Sequence, residues 1–449
     1  VLTLIALSAV PYGTVEPWWQ SLFELFVFVL AALWLIEAFL KGSYDWSVYR
    51  ILLPLVALAI FGLIQSIPLG LDSDLSQKTG ANVWRTLSAD PHGTRLWVAR
   101  MLALVFVAAL LLRYTSSSRR LRQLIYLVIG IAVASALFGL TRKMMQHEAG
   151  FLLPHLMPGF GYGQFINNNH FAFLMEIALG LLLGLVVAGG VRRERLLICL
   201  GIMLLLGMSL VISNSRGGIL SMLCQVIFVG VLFPTLHTIP KTSSKWIRRA
   251  GSSRVVQALL VACLVATVGI GIVVVGGDSL LGRLEVMPGE VASREGGSRW
   301  GDRRIDIWRA SWPLVRAHPV VGVGMGGYWT AITAYHDASG EMTPQRAHND
   351  YLELIASGGL IGAAIALWFL AGLIRPVRSR LQSTDRFRRA AAFGALVGFC
   401  GVAIHSLVDF GLHTTINAVL AIVLLVIATA DIEREPHRHS TRTKSQRET

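Results

Sequence analysis

Charge is scarce in this 449-residue chain. Lys, Arg, Asp and Glu make up 15% of it, where a soluble domain carries about 25%. That argues against a soluble globular protein. It also argues against a wholly disordered chain, which needs high charge and few apolar residues. Cysteine is rare as well. Cys199, Cys224, Cys263 and Cys400 all fall inside apolar runs, and no CxxC pair exists. Such spacing gives no metal site and no disulfide framework. Acidic residues are the rarer charge, 26 against 40 basic, for a net charge of +14. A basic balance suits nucleic acid, yet the basic residues here sit in short loops between apolar runs. That is the pattern of membrane orientation, so no nucleic-acid partner is expected.

Apolar residues are plentiful: 54% of the chain, with a mean hydropathy of +0.60. Runs of roughly 20 residues recur, each long enough to cross about 30 Å of hydrocarbon as a helix. They do not alternate in polarity as barrel strands would. In lipid the backbone must bond to itself, which favours helices. The expected fold is an all-α integral membrane protein with about 12 transmembrane helices and one large outer loop holding short amphipathic helices. The expected spans are 1–15, 18–40, 48–67, 96–114, 121–140, 169–190, 195–213, 217–237, 255–275, 351–373, 390–412 and 416–431. They divide the chain into N-terminal helices (1–160), central helices (161–275), the large loop (276–350), C-terminal helices (351–431) and a charged tail (432–449) expected to be disordered. The first run lacks a cleavable pattern and is expected to stay in the membrane.

Charge orients the bundle. Lys41 and Arg50, then Arg113, Arg119, Arg120 and Arg122, then Arg192, Arg193 and Arg195, and six arginines from Arg375 to Arg389 all fall in short loops on one side. The positive-inside rule puts these loops and both termini in the cytoplasm. The segments 68–95, 141–168 and 276–350 are then outside.

Four polar clusters fall at that outer face. Gln164–His170 reads QFINNNH, and its Asn168 and His170 sit at a helix start; such residues either cap the helix or bind hydroxyls. Ser213–Gly218 reads SNSRGG. There Ser215 and the helix-start amides suit an anion, and Arg216 is a forked, permanent cation suited to phosphate. Gly301–Trp308 reads GDRRIDIW, with Arg303, Arg304 and Trp308; Arg304 and Trp308 share a helix face. A plain solvated helix with paired charges is the rival reading, because basic and acidic residues balance across this loop. Arg346–Glu353 reads RAHNDYLE. His348 titrates near neutral pH, Asp350 or Glu353 is placed to orient it, and Asn349 and Tyr351 lie beside it. Asn349 or Asp350 as a simple helix cap is the bland alternative. A fifth feature is the four-residue repeat His405, Asp409, His413 and Asn417. On one continuous helix the first three share a face that must turn away from lipid.

These motifs in this order resemble the O-antigen ligase and polymerase superfamily of bacterial membrane glycosyltransferases. The resemblance rests on QFINNNHFAF, SNSRGG, Arg-x-x-x-Trp before HPVVGVGMGGY, RAHNDYLELIASGGLIG and HSLVDFGLHTTINA, over about residues 160–420. It implies an enzyme of the bacterial inner membrane with its active site facing the periplasm. It implies an undecaprenyl-diphosphate-linked glycan as donor, the lipid A core or another glycan as acceptor, no cofactor or metal, and inversion at the anomeric carbon. By motif, the family's essential arginines and histidine fall on Arg216, Arg304 and His348, with Arg303 adjacent to Arg304. Asp350 and Glu353 are the residues expected to tune the histidine. Ser215, Asn168, His170, Asn349, Tyr351, His405, Asp409 and His413 are the expected substrate-binding neighbours. A polymerase or a protein glycan transferase of the same superfamily is the near alternative, and a transporter or flippase the distant one.

Overall fold

The computed structural model describes residues 1–42, 46–71, 84–145, 156, 161–236, 304–336 and 344–432. The expected span 255–275, Arg303, parts of 276–350 and nearly all of the tail lie outside them.

The described chain is helical apart from one antiparallel pair of two-residue strands, β1 (Gly70–Leu71) and β2 (Trp84–Arg85). The helices are α1 (Leu2–Ser8), α2 (Pro17–Lys41), α3 (Leu53–Gln65), α4 (Pro91–Tyr114), α5 (Ser118–Met144), α6 (Asn168–Val187), α7 (Leu196–Ile212), α8 (Arg216–Leu236), α9 (Arg304–Ala317), α10 (Tyr328–Ile332), α11 (Asp350–Leu381), α12 (Arg386–His405) and α13 (Thr415–Thr429). Side chains open several of them by taking orphan backbone N–H groups. Asp90 accepts from Gly93, Ser117 from Arg120, Asn167 from Asn169, Asn349 from Tyr351 and Leu352, and Asp385 from Arg388.

Among the described residues seven helices are long and apolar enough to cross a membrane: α2, α4, α5, α6, α7 with its preceding turn, α11 and α12. Three shorter apolar helices, Tyr49–Gln65, Arg216–Val231 and Thr415–Thr429, stand at three further expected spans. Residues 1–15 differ from expectation. They supply the seven-residue α1 and then a turn in which Tyr12, Gly13 and Thr14 have positive φ. Seven helical residues reach only about 10 Å, a third of the hydrocarbon thickness.

The core forms around α6, which is buried along nearly its whole length. Its partner α12 approaches closely because both present small residues. A Cβ on Gly184 would stand 2.3 Å from Gly394 Cα, and one on Gly180 would stand 2.7 Å from Gly398 N. Gly180/Gly184 and Gly394/Gly398 are therefore four-residue glycine pairs facing each other, the arrangement that lets helix backbones touch without a hydrophobic drive.

Helix α11 is broken at Gly359, whose φ of 58° and ψ of −156° lie outside the helical region. Leu360 and Ile361 would otherwise donate to Ala356 and Ser357. Instead their N–H groups donate to Pro319 O (2.9 Å) and Val320 O (3.2 Å), while Ala356 O and Ser357 O accept from Val323 (3.0 Å) and Gly324 (3.0 Å). The loop after α9 thus threads into the break and pairs all four groups, as a buried backbone requires. Gln65 of α3 pins the loop: its Nε2 donates to Val321 O (2.6 Å) and Ser357 O (3.0 Å), and its Oε1 accepts from Met325 (3.1 Å).

Gly184→Leu is expected to lower the melting temperature of the detergent-solubilised protein, by an overpacking cost of about 1–3 kcal/mol. Gly201→Leu, where a Cβ meets nothing within 4 Å, should leave it unchanged. Equal melting temperatures for the two variants would refute the close α6–α12 contact.

Candidate functional site

At one end of the bundle the N-termini of α6, α8, α11 and α13 meet the C-terminus of α12 and the start of α9. The centre of this end is Asp409, which is fully buried. Its Oδ1 accepts from the N–H of Phe410 (2.7 Å). Its Oδ2 accepts from Arg304 Nη2 (3.0 Å) and from Asn169 Nδ2. His348 Nδ1 stands 3.9 Å from Oδ1. Asn169 carries the network onward, since its Oδ1 accepts from Ser215 Oγ (2.8 Å), which itself accepts from Gly218 N–H (3.2 Å). Arg216, half-buried, follows Ser215 as the first residue of α8. Four stretches far apart in sequence thus converge on one carboxylate.

His348 is half-buried and has a φ of 49°. Left-handed backbone at a non-glycine residue costs roughly 1–3 kcal/mol and persists only where the surroundings hold it. Its ring meets the Phe410 ring edge-on at 4.7 Å. Burial pushes the imidazole below the usual histidine range; the nearby Arg304 charge adds to this, and the Asp409 carboxylate opposes it. The ring is therefore neutral at neutral pH. With Nδ1 turned to Asp409, Nε2 is the nitrogen left for an acceptor.

Two expectations about the neighbours of His348 need correction. Asp350 and Glu353 do not face it; the carboxylate beside it is Asp409. Asp350 Oδ2 accepts from Ser406 Oγ (2.7 Å), and its N–H donates to Ser406 O (2.9 Å). Glu353 accepts from Arg346 Nη1 (2.9 Å) and from Ala347 N–H (2.9 Å). Both carboxylates approach His413 Nε2, at 3.6 and 3.3 Å. Burial holds His413 well below the usual range, helped by the charges of Arg346 and Arg100. Asn349 is the cap of α11, and Tyr351 Oη donates to Ala403 O (2.9 Å).

The four-residue polar repeat also reads differently. Helix α12 ends at His405, so His405, Asp409 and His413 do not share a helix face. The Asp409 carboxylate binds the next backbone N–H, and this local bond competes with helix continuation. Each member then finds its own partner. His405, fully buried, pairs with the equally buried Glu176 (Nδ1 to Oε2, 3.2 Å) and stacks on Phe173 at 4.2 Å. Asn417 donates to His170 O (3.0 Å), and His170 Nδ1 meets Thr414 Oγ1 (2.8 Å). Asn168 donates to Ser213 O (3.0 Å) and so ties α6 to the turn before α8.

Four polar residues outside the expected set prove central. Asn169 joins two halves of the network. Glu176 was legible as a carboxylate inside an apolar run, a functional candidate by default. Arg346 bonds Glu353, and Arg100 of α4 bonds Gln20 with Glu24 at 3.8 Å. Arg100 sits inside an expected span, which was signal enough to notice it.

Residues 201–367 match the protein family described as O-antigen ligase. The matched stretch holds Ser215, Arg216, Arg304 and His348, and it leaves out Asn169 and Asp409. The resemblance to the O-antigen ligase and polymerase superfamily holds over that segment. None of the curated proteins matches the chain.

Glu176→Ala leaves a buried imidazole nitrogen without its acceptor, at a cost of about 1–3 kcal/mol. A lower melting temperature is expected for it, with a smaller loss for Glu176→Gln, which keeps an oxygen acceptor. Equal stability of Glu176→Ala and the unmodified protein would count against the pair.

Proposed function

We propose that this chain is a glycosyltransferase of the bacterial inner membrane, of the O-antigen ligase type. It moves a glycan from undecaprenyl diphosphate to a hydroxyl of the lipid A core at the periplasmic face. The observation that carries the reading is the buried Asp409, which gathers Arg304 and His348 at the bundle end opposite the arginine-rich loops. The positive-inside rule turns that end outward.

The chemistry follows from the charges. As the glycosidic bond breaks, negative charge grows on the departing diphosphate. Arg216 and Arg304 stabilise it in a poorly hydrated site. Arg304 spends one nitrogen on Asp409, and its guanidinium has further donors for the phosphate oxygens. His348, kept neutral by burial, takes the proton of the acceptor hydroxyl on Nε2. The imidazolium that results is stabilised by Asp409, 3.9 Å from the other ring nitrogen. The oxygen attacks the anomeric carbon directly as the diphosphate leaves, so configuration inverts. Ser215, Asn168, Asn349, Tyr351, His170, His405 and His413 shape the surroundings; Asp350 and Glu353 act on His413 and Arg346 rather than on the base.

The test is reconstitution with a polyprenyl-diphosphate glycan and separate acceptors, with mass analysis of the product. Capped lipid A core supports the ligase; longer chains still on the carrier would make the protein a polymerase instead. His348→Ala is expected to insert normally and lose transfer, and near-normal ligation would remove it as the base. Arg216→Lys is expected to be severely impaired, because an ammonium cannot reproduce the fork; full activity would exclude Arg216 from diphosphate binding.

A pH profile gives a separate check. Protonation of His348 stops it accepting a proton, so the rate falls as pH drops through its pKa. Because that pKa is depressed, the acid limb lies below about 6.5, the ordinary histidine value. Asp409→Asn removes the charge that opposes the depression. Its acid limb should move to still lower pH, with a lower plateau, and an upward shift would contradict the assignment.

A further inference from the structure

His348 holds a left-handed backbone with a φ of 49°, so the residue before it must be fixed firmly. That residue is Ala347, fully buried. Three contacts hold it. Its N–H donates to Glu353 Oε2 (2.9 Å). Its carbonyl, which belongs to the Ala347–His348 peptide, accepts from the indole Nε1 of Trp308 (2.9 Å). Its methyl packs in a small core with Leu314, Val323, Tyr328, Ile332 and Ala356. Trp308 also stands one helical turn after Arg304 on α9. A single helix therefore delivers the guanidinium to Asp409 and grips the peptide that carries the imidazole.

We propose that Trp308 and Glu353 are positioning residues, holding His348 against Asp409 by clamping Ala347 from its carbonyl and its N–H sides. The inference rests on the reading of His348 as the base. Trp308 sets the distance between the guanidinium and the imidazole through the rigid turn that separates Arg304 from the indole. Glu353, shared between Arg346 and Ala347, fixes the other end of the peptide pair. Misplacing a reacting group by about 1 Å lowers a rate by roughly 10²-fold, so the clamp is a determinant of turnover although neither residue contacts His348 by a hydrogen bond.

The test uses the full chain in membrane with a polyprenyl-diphosphate glycan donor and a saccharide acceptor, comparing Trp308→Phe, His348→Ala and the unmodified protein. Trp308→Phe keeps an aromatic ring and removes the N–H. It is expected to lower kcat roughly 10²-fold and to leave the donor KM near its starting value, since Arg304 keeps its own bond to Asp409. A loosened loop changes both the burial of His348 and its distance from Asp409 and Arg304, the groups that set its proton affinity, so the acid limb of the pH profile should move. A purely structural defect would remove active protein equally at every pH and leave the limb in place. Unchanged kcat, or a lowered kcat with an unmoved limb, overturns the proposal. An inert His348→Ala beside a fully active Trp308→Phe sinks the clamp alone, whereas an active His348→Ala sinks the base assignment beneath it. If Trp308→Phe does not accumulate, Glu353→Gln is compared with Glu353→Ala. The amide keeps an oxygen for Ala347 N–H and should retain the higher kcat; equal rates overturn the clamp.

Discussion

A carboxylate with no exposed surface, set at the end of an apolar bundle, must be compensated, and Asp409 organises everything around that need. Leaving such a charge unpaired is costly enough that several groups are drawn to it. A backbone N–H, an asparagine amide and a guanidinium bond it, and an imidazole lies just beyond bonding distance. The same charge raises the proton affinity of His348 that burial lowers. One desolvated group therefore sets the position of the arginine, opposes the effect of burial on the histidine and joins α6 to α8 through Asn169 and Ser215.

A second constraint acts on the backbone. Helix α11 breaks at Gly359, and the N–H groups of Leu360 and Ile361 and the carbonyls of Ala356 and Ser357 are taken by the loop that follows α9. That loop belongs to the same segment as Arg304 and Trp308. The exchange of partners anchors α9 over the bundle end, so the device that satisfies the broken helix also carries the guanidinium to its place.

Much of this could be read from residues in order. Apolar runs predicted twelve spans, and among the described residues apolar helices stand at ten of them, because hydrocarbon thickness and backbone pairing leave few alternatives. The polar motifs brought Ser215, Asn168, His170, Arg304 and His348 to the same end of the bundle. Asn349 proved to be a helix cap and Arg304 with Trp308 did share one helix face. The failures have a common cause. His405, Asp409 and His413 were read on one helix, whereas α12 ends at His405; beyond it Ser406 O accepts from Asp350 N–H, and Phe410 N–H bonds the Asp409 side chain instead of continuing the helical ladder. Asp350 and Glu353, nearest to His348 along the chain, turned to His413 instead.

Composition and periodicity decide which segments are helices and which ends carry polar groups, since those depend on transfer free energy and local backbone geometry. Pairing is a different matter. Which carboxylate meets which cation depends on where helices more than 200 residues apart in order, such as α6 and α12, come to rest. Glycine contacts between α6 and α12 set that approach, and the rewired break in α11 sets the position of α9. Both are properties of packed surfaces, to which spacing along the chain is blind.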